Sequence, residues 1–161
     1  PAIALANVTG ARTGAHTYAQ FQDCNGYGST SDKIIKFATE DVASNNTVVT
    51  VDNNATYGLY IQANMNCYAF CTFTSTGTGA GRNFGFSKNT PLATRTTGIN
   101  SLTGIYALSS VDTADGTNGM QTSCAVYLAS GDVLFPHGDG GAFDTSYTYR
   151  QKLTIFAIEA V

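Results

Sequence analysis

The chain has 161 residues, 43% of them hydrophobic and only 12% charged, with eight cations against eleven carboxylates for a net charge of -3. A hydrophobic fraction of this size can bury a core, which excludes disorder. The scarcity of Lys, Glu and Leu excludes a coiled coil, the acidic balance disfavours a nucleic-acid-binding basic face, and no run approaches the roughly 18 apolar residues of a membrane span. Charged residues usually fill about a quarter of a soluble domain; here 23 Thr, 11 Ser and 12 Asn take their place. Two Glu and four Lys leave surface helices short of material, whereas Val, Ile, Thr, Tyr and Phe favour strands. The expectation is an all-β chain of one domain.

Along the chain, residues 1–20 are small, apolar and hydroxylated. They predict an extended N-terminal arm, or a first short strand with Ile3, Leu5 and Val8. Residues 21–33 carry two glycines and several turn formers and predict a loop. Strands are expected at 34–37 and 47–51, with a turn at Asp52-Asn53-Asn54. Residues 57–65 alternate, Leu59, Ile61, Ala63 and Met65 on one face against Tyr60, Gln62 and Asn64 on the other. With 67–75 they predict a hairpin. A glycine-rich loop at 75–83, a short strand at 84–86 and a wandering connection at 88–104 follow. Further strands are expected at 105–110, in two runs of 121–136 parted by Ser130-Gly131-Asp132, and at 152–161. Nine or ten short strands at this spacing predict a β-sandwich or barrel. Phe70, Phe73, Phe84, Phe86 and Phe156 fall on these strands and are expected in its core.

The four cysteines, Cys24, Cys67, Cys71 and Cys124, follow no metal or redox spacing. Cys67 and Cys71 share one strand face about 13 Å apart, too far to bridge each other. Free buried thiols are expected, with a disulfide between neighbouring strands left open. Pro1-Ala2-Ile3 shows no charged n-region and no long apolar run follows, so no signal peptide is visible; one already cleaved is the alternative, and synthesis in a cytoplasm is expected.

The segment Leu128-Ala129-Ser130-Gly131-Asp132 ends one apolar strand in a Gly-Asp turn, and Leu153-Thr154-Ile155-Phe156-Ala157-Ile158 forms a final aromatic strand. This pattern, with Tyr57-Gly58-Leu59-Tyr60-Ile61 upstream, resembles the jelly-roll domain of the complement globular heads and the tumour necrosis factor superfamily. The resemblance implies an antiparallel jelly-roll β-sandwich over 21–161 behind the arm at 1–20. It also implies a homotrimer. Domains of this kind occur as bacteriophage virion components, both capsid decorations and fibre heads, and the Thr- and Asn-rich, Lys-poor composition is similar to theirs.

No catalytic constellation is legible. His16 and His137 fall on an arm and a loop, no Gly-x-Ser-x-Gly elbow accompanies them, and Gly77-Thr78-Gly79-Ala80-Gly81 lacks the Lys-Ser/Thr of a phosphate loop. Asp112, Asp115, Asp139 and Asp144 stand in glycine-rich loops that could supply oxygens to calcium, although Asp-Gly also makes ordinary turns. Tyr147, Tyr149 and Arg150 are candidates for a glycan or protein contact. The reading is a non-enzymatic virion protein without a cofactor beyond structural calcium. It is expected to be a homotrimeric capsid decoration subunit whose partners are itself and a major capsid or other virion protein. The alternative is a fibre or spike head binding a host-surface glycan or receptor.

Overall fold

A computed structural model describes residues 14–28, 33–76, 82–111, 119–141, 143 and 151–160. Ten strands run through them: β1 (His16–Tyr27), β2 (Ile35–Val42), β3 (Val49–Asn54), β4 (Gly58–Ala63), β5 (Cys67–Thr76), β6 (Arg82–Lys88), β7 (Ile105–Val111), β8 (Gly119–Leu128), β9 (Val133–Gly138) and β10 (Lys152–Glu159). Two single 3-10 turns, Leu92–Thr94 and Ile99–Ser101, interrupt the connection from β6 to β7. The strands form two five-stranded antiparallel sheets, ordered β2-β1-β10-β5-β8 and β3-β4-β9-β6-β7, as a jelly-roll sandwich.

Alternation sets what lies between the sheets. β8 buries every second residue from Met120 to Leu128. β10 sends Leu153, Ile155 and Ala157 inward, and β4 does the same with Leu59, Ile61 and Ala63. Phe73 of β5 is the hub of the core. Its ring meets Phe84 of the opposite sheet at 4.8 Å and Phe37 of β2 at 5.7 Å, both edge to face.

Polar side chains close the open edges. Buried Thr17 accepts the Val48 and Val49 amides on Oγ1, at 2.8 and 3.2 Å, and so ties β1 to the start of β3. Asn53 behaves like a length of strand: its Nδ2 donates to the Phe37 carbonyl and its Oδ1 accepts the Phe37 amide, which joins β2 of one sheet to β3 of the other.

Three local expectations are corrected. The predicted loop at 21–33 is strand as far as Tyr27, because β1 pairs with both β10 and β2 and takes up its turn formers in irregularities: Asp23 has φ 60°, Gly26 has φ 113°, and the register shifts between Cys24 and Gly26. The turn expected at Asp52-Asn53-Asn54 lies three residues later, at 55–57, since Asp52, Asn53 and Asn54 pair with Tyr60, Leu59 and Gly58. His137 stands on β9 and is fully buried, not on a rim loop. Of the expected arm, residues 16–20 are the first part of β1, and residues 1–13 lie outside the described set.

Replacing the hub tests this core. Phe73→Ala is expected to cost about 3–5 kcal/mol of unfolding free energy, read as a fall in the urea midpoint. Tyr106→Ala, at an exposed ring, is expected to change it by no more than about 0.5 kcal/mol.

Candidate functional site

The two sheets differ in what covers their outer faces. Over β6 and β9 of the second sheet lies the connection through residues 89–104. Ile99 is fully buried against Gly85, where an added Cβ would fall 3.0 Å from the Ile99 side chain and far inside contact distance of the Ala107 carbonyl. Arg95 lays its guanidinium 4.4 Å from the centre of the Phe135 ring. Among the described residues nothing comparable lies over the first sheet.

That face carries aromatic residues in register. Tyr18 of β1 pairs with Phe156 of β10, which pairs with Phe70 of β5 and, through it, Ala125 of β8. The next row runs His16, Ile158, Tyr68 and Tyr127. Tyr68 meets Tyr127 at 5.6 Å, Phe70 meets Phe156 at 6.3 Å, and His16 meets Phe156 at 6.1 Å. Tyr18, Tyr68, Phe70, Tyr127 and Phe156 are each 38–50% exposed. At ~200 Å² per ring residue they show solvent about 400 Å² of aromatic surface, the size of a functional patch. Beyond them the face turns to uncharged hydroxyls and amides: Gln20 donates to Thr154 at 3.1 Å, and Thr72 and Ser123 share a hydrogen bond of the same length. Lys152 at the margin is engaged by Asp41 at 3.4 Å.

The expectation that Phe70 and Phe156 belong to the core is therefore overturned, while Phe73, Phe84 and Phe86 are buried as expected. The signal was strand parity. Phe70 and Phe73 are three residues apart and must face opposite ways, and Cys67, Ala69 and Cys71 share the side of Phe73.

No protein-family model matches the sequence, and no curated protein does either. Among solved structures, murine APRIL aligns over 89% of this chain and 99% of its own at 7% identity, with a TM-score of 0.53. The chain shares the jelly-roll fold of that structure. Eiger TNF from S. frugiperda aligns at 11% identity over 89% of this chain and 92% of its own with a TM-score of 0.47. The globular domain of the zebrafish complement 1qA protein aligns at 9% over 91% and 96%, with a TM-score of 0.48. At these identities the likeness is one of fold.

Asp112, Asp115, Asp144, Tyr147, Tyr149 and Arg150 lie outside the described residues. Asp139 is described, and its carboxylate is committed to backbone: Oδ2 accepts the Asn83 amide at 2.7 Å and Oδ1 the Gly141 amide at 2.9 Å. Among the described residues no group of three His, Cys, Asp or Glu side chains is placed to hold a metal ion. The Gly-Asp turn of the family resemblance is structural. Asp132 accepts the Ala129 amide and the Asn89 side chain, and the Lys88 ammonium 2.6 Å away holds its carboxyl below the ordinary value.

His137 comes closest to a catalytic arrangement. Its Nδ1 lies 2.9 Å from Ser87 Oγ and its Nε2 2.9 Å from the Thr97 carbonyl. A carbonyl only accepts, so Nε2 carries the hydrogen and Ser87 donates to Nδ1. Thr90 in turn donates to Ser87 at 2.8 Å. This resembles a serine and its base, but Ser87, Thr90 and His137 are all buried and the orienting group is a carbonyl. The chain Thr90–Ser87–His137–Thr97 instead pins the covering connection to β6 and β9. Beside it a depression of about 490 Å³ is lined by Lys88, Asn89, Thr90, Thr94, Thr97 and Thr103 among others.

Burial, helped by the nearby Arg95 charge, pushes His137 from 6.5 down to about 4 against the raising effect of its bond to Thr97. The unfolded chain binds this proton below about pH 6.5 and the folded chain only below about 4. Stability is therefore complete above pH 6.5 and falls between 6.5 and 4, by on the order of 3 kcal/mol from this group. Urea midpoints across that range are expected to fall more steeply for the native chain than for His137→Gln; parallel slopes would show that His137 is not the responsible group.

Proposed function

We propose that this protein is a non-enzymatic structural subunit that associates with copies of itself, as a homotrimer, through the outer face of the β2-β1-β10-β5-β8 sheet. The observation that carries the reading is the exposed cluster of Tyr18, Tyr68, Phe70, Tyr127 and Phe156 on a sheet face with nothing described above it. Protein interfaces concentrate Tyr and Phe at their centres, deplete charge there and place polar groups at the rim. The rings, with the hydroxyls and amides of Gln20, Thr72, Ser123 and Thr154 around them, have that composition. Another copy is the occupant that fits best, because the rings carry no charge, most soluble oligomers are symmetric homomers, and a head-to-tail contact of this face with a different surface of the next copy closes a ring. A standard interface takes about 800 Å² from each partner, so the rings supply its centre and the polar rows its margin.

The assembly is proposed to coat a larger shell as a virion decoration protein, with the major capsid protein as its second partner. The family resemblance and a surface built from Thr, Ser and Asn support this finer reading. A surface of that kind contacts neighbours over wide areas without burying many charges.

Sedimentation equilibrium is expected to give a species near three times the 16.9 kDa subunit mass. Phe70→Asp with Phe156→Asp is expected to weaken association roughly 100-fold or more while leaving the β-sheet circular dichroism intact. Tyr57→Asp and Tyr106→Asp, at exposed rings elsewhere, are expected to leave it unchanged. A monomeric native chain at 100 µM, or undiminished association of the double variant, would overturn the proposal. A defined ligand on a glycan array, bound at micromolar strength by a monomer, would favour a receptor-binding head instead.

A further inference from the structure

We propose that Cys71 and Cys124 form a redox pair at which a peroxide-class oxidant closes an intrachain disulfide between β5 and β8. The inference is independent of the self-association reading. It rests on the ladder: Cys71 and Cys124 are direct partners in a ten-residue antiparallel pairing with no register shift, from Cys67 opposite Leu128 to Thr76 opposite Gly119. Residues so opposed have Cα atoms about 4.5–5.5 Å apart, inside the roughly 4.4–6.8 Å that a disulfide spans. Both side chains point to the inner face, where the two thiols are hydrogen-bond partners. All four cysteines are free thiols in this structure. The other two are badly placed for bridging: Cys67 sits four residues along the same strand, about 13 Å from Cys71, and Cys24 lies on β1, its thiol pushed up to about 12 by burial.

The pair divides its roles by geometry. Cys124 keeps 8% exposure against 2% for Cys71. Cys124 is therefore the attacking sulfur. Its thiolate displaces hydroxide from the peroxide O–O bond, giving a sulfenic acid and, after protonation, one water. The Cys71 thiolate then attacks the Cys124 sulfur, the S–O bond breaks, and a second water leaves. Two thiols have lost two electrons and two protons, and one peroxide has become two waters.

Hydrogen peroxide added to the folded native chain, followed by alkylation in denaturant, is expected to reduce the count of free thiols from four to two. The mass falls by two hydrogens, and one unreduced peptide pair joins Cys71 to Cys124. The closed form is expected to melt roughly 5–10 °C higher and to return to the starting value with dithiothreitol. Cys71→Ser is expected to trap a dimedone-reactive sulfenic acid on Cys124. Should that variant not fold, Cys24→Ser with Cys67→Ser leaves the pair intact and is expected to end with no free thiol and the same Cys71–Cys124 link. Four surviving thiols, a bridge involving Cys24 or Cys67, a link between subunits, or dimedone on Cys71 would each overturn the proposal.

Discussion

A β-strand sends successive side chains to opposite faces, and β10 carries large apolar groups on both. Leu153, Ile155 and Ala157 enter the core, while Phe156 and Ile158 face away from it. A strand read this way needs cover on two sides. The second sheet supplies one cover. For the strands of that second sheet the chain itself supplies the other, by laying residues 89–104 over β6 and β9. The first sheet has no such cover among the described residues, and its outer rings face solvent. That inequality between two otherwise similar five-stranded sheets is the observation on which the proposed association rests.

The scarcity of charge has a structural counterpart. Where ion pairs would ordinarily close turns and edges, amides and hydroxyls do so: Asn53 bridges β2 to β3, Thr17 bridges β1 to β3, and Ser87, Thr90 and Thr97 hold His137. Such bonds satisfy buried backbone groups without the desolvation cost of an ion. The same chemistry at the surface leaves little charge to strip when one subunit meets another.

The fold was legible where alternation is clean. β4 follows the expected faces, because Leu59, Ile61 and Ala63 go to the core and Tyr60 and Gln62 to the far side. β1 was not legible, since Asp23, Asn25 and Gly26 read as turn formers and their irregular backbone is held by pairing with β10 and β2, neighbours distant in sequence. His137 was misplaced for a similar reason. Its flanking Gly138 and Asp139 suggest a loop, yet Gly85 pairs opposite it and Ser87 supplies its partner from fifty residues away. The exposed aromatic face was hidden by chemistry rather than by distance. Phenylalanine on a strand is most often a core residue, and only the parity between Phe70 and Phe73 separates the two roles.

The central claim is that the rings of the first sheet are covered by another copy of the chain. Hydroxyl-radical footprinting across a dilution series tests it residue by residue. At high concentration Tyr18, Tyr68, Phe70, Tyr127 and Phe156 are expected to be protected together and to become reactive together on dilution, while Tyr57, Leu92 and Tyr106 stay equally reactive throughout. Protection that is absent, or that falls on Tyr57 and Tyr106 instead, would contradict the account.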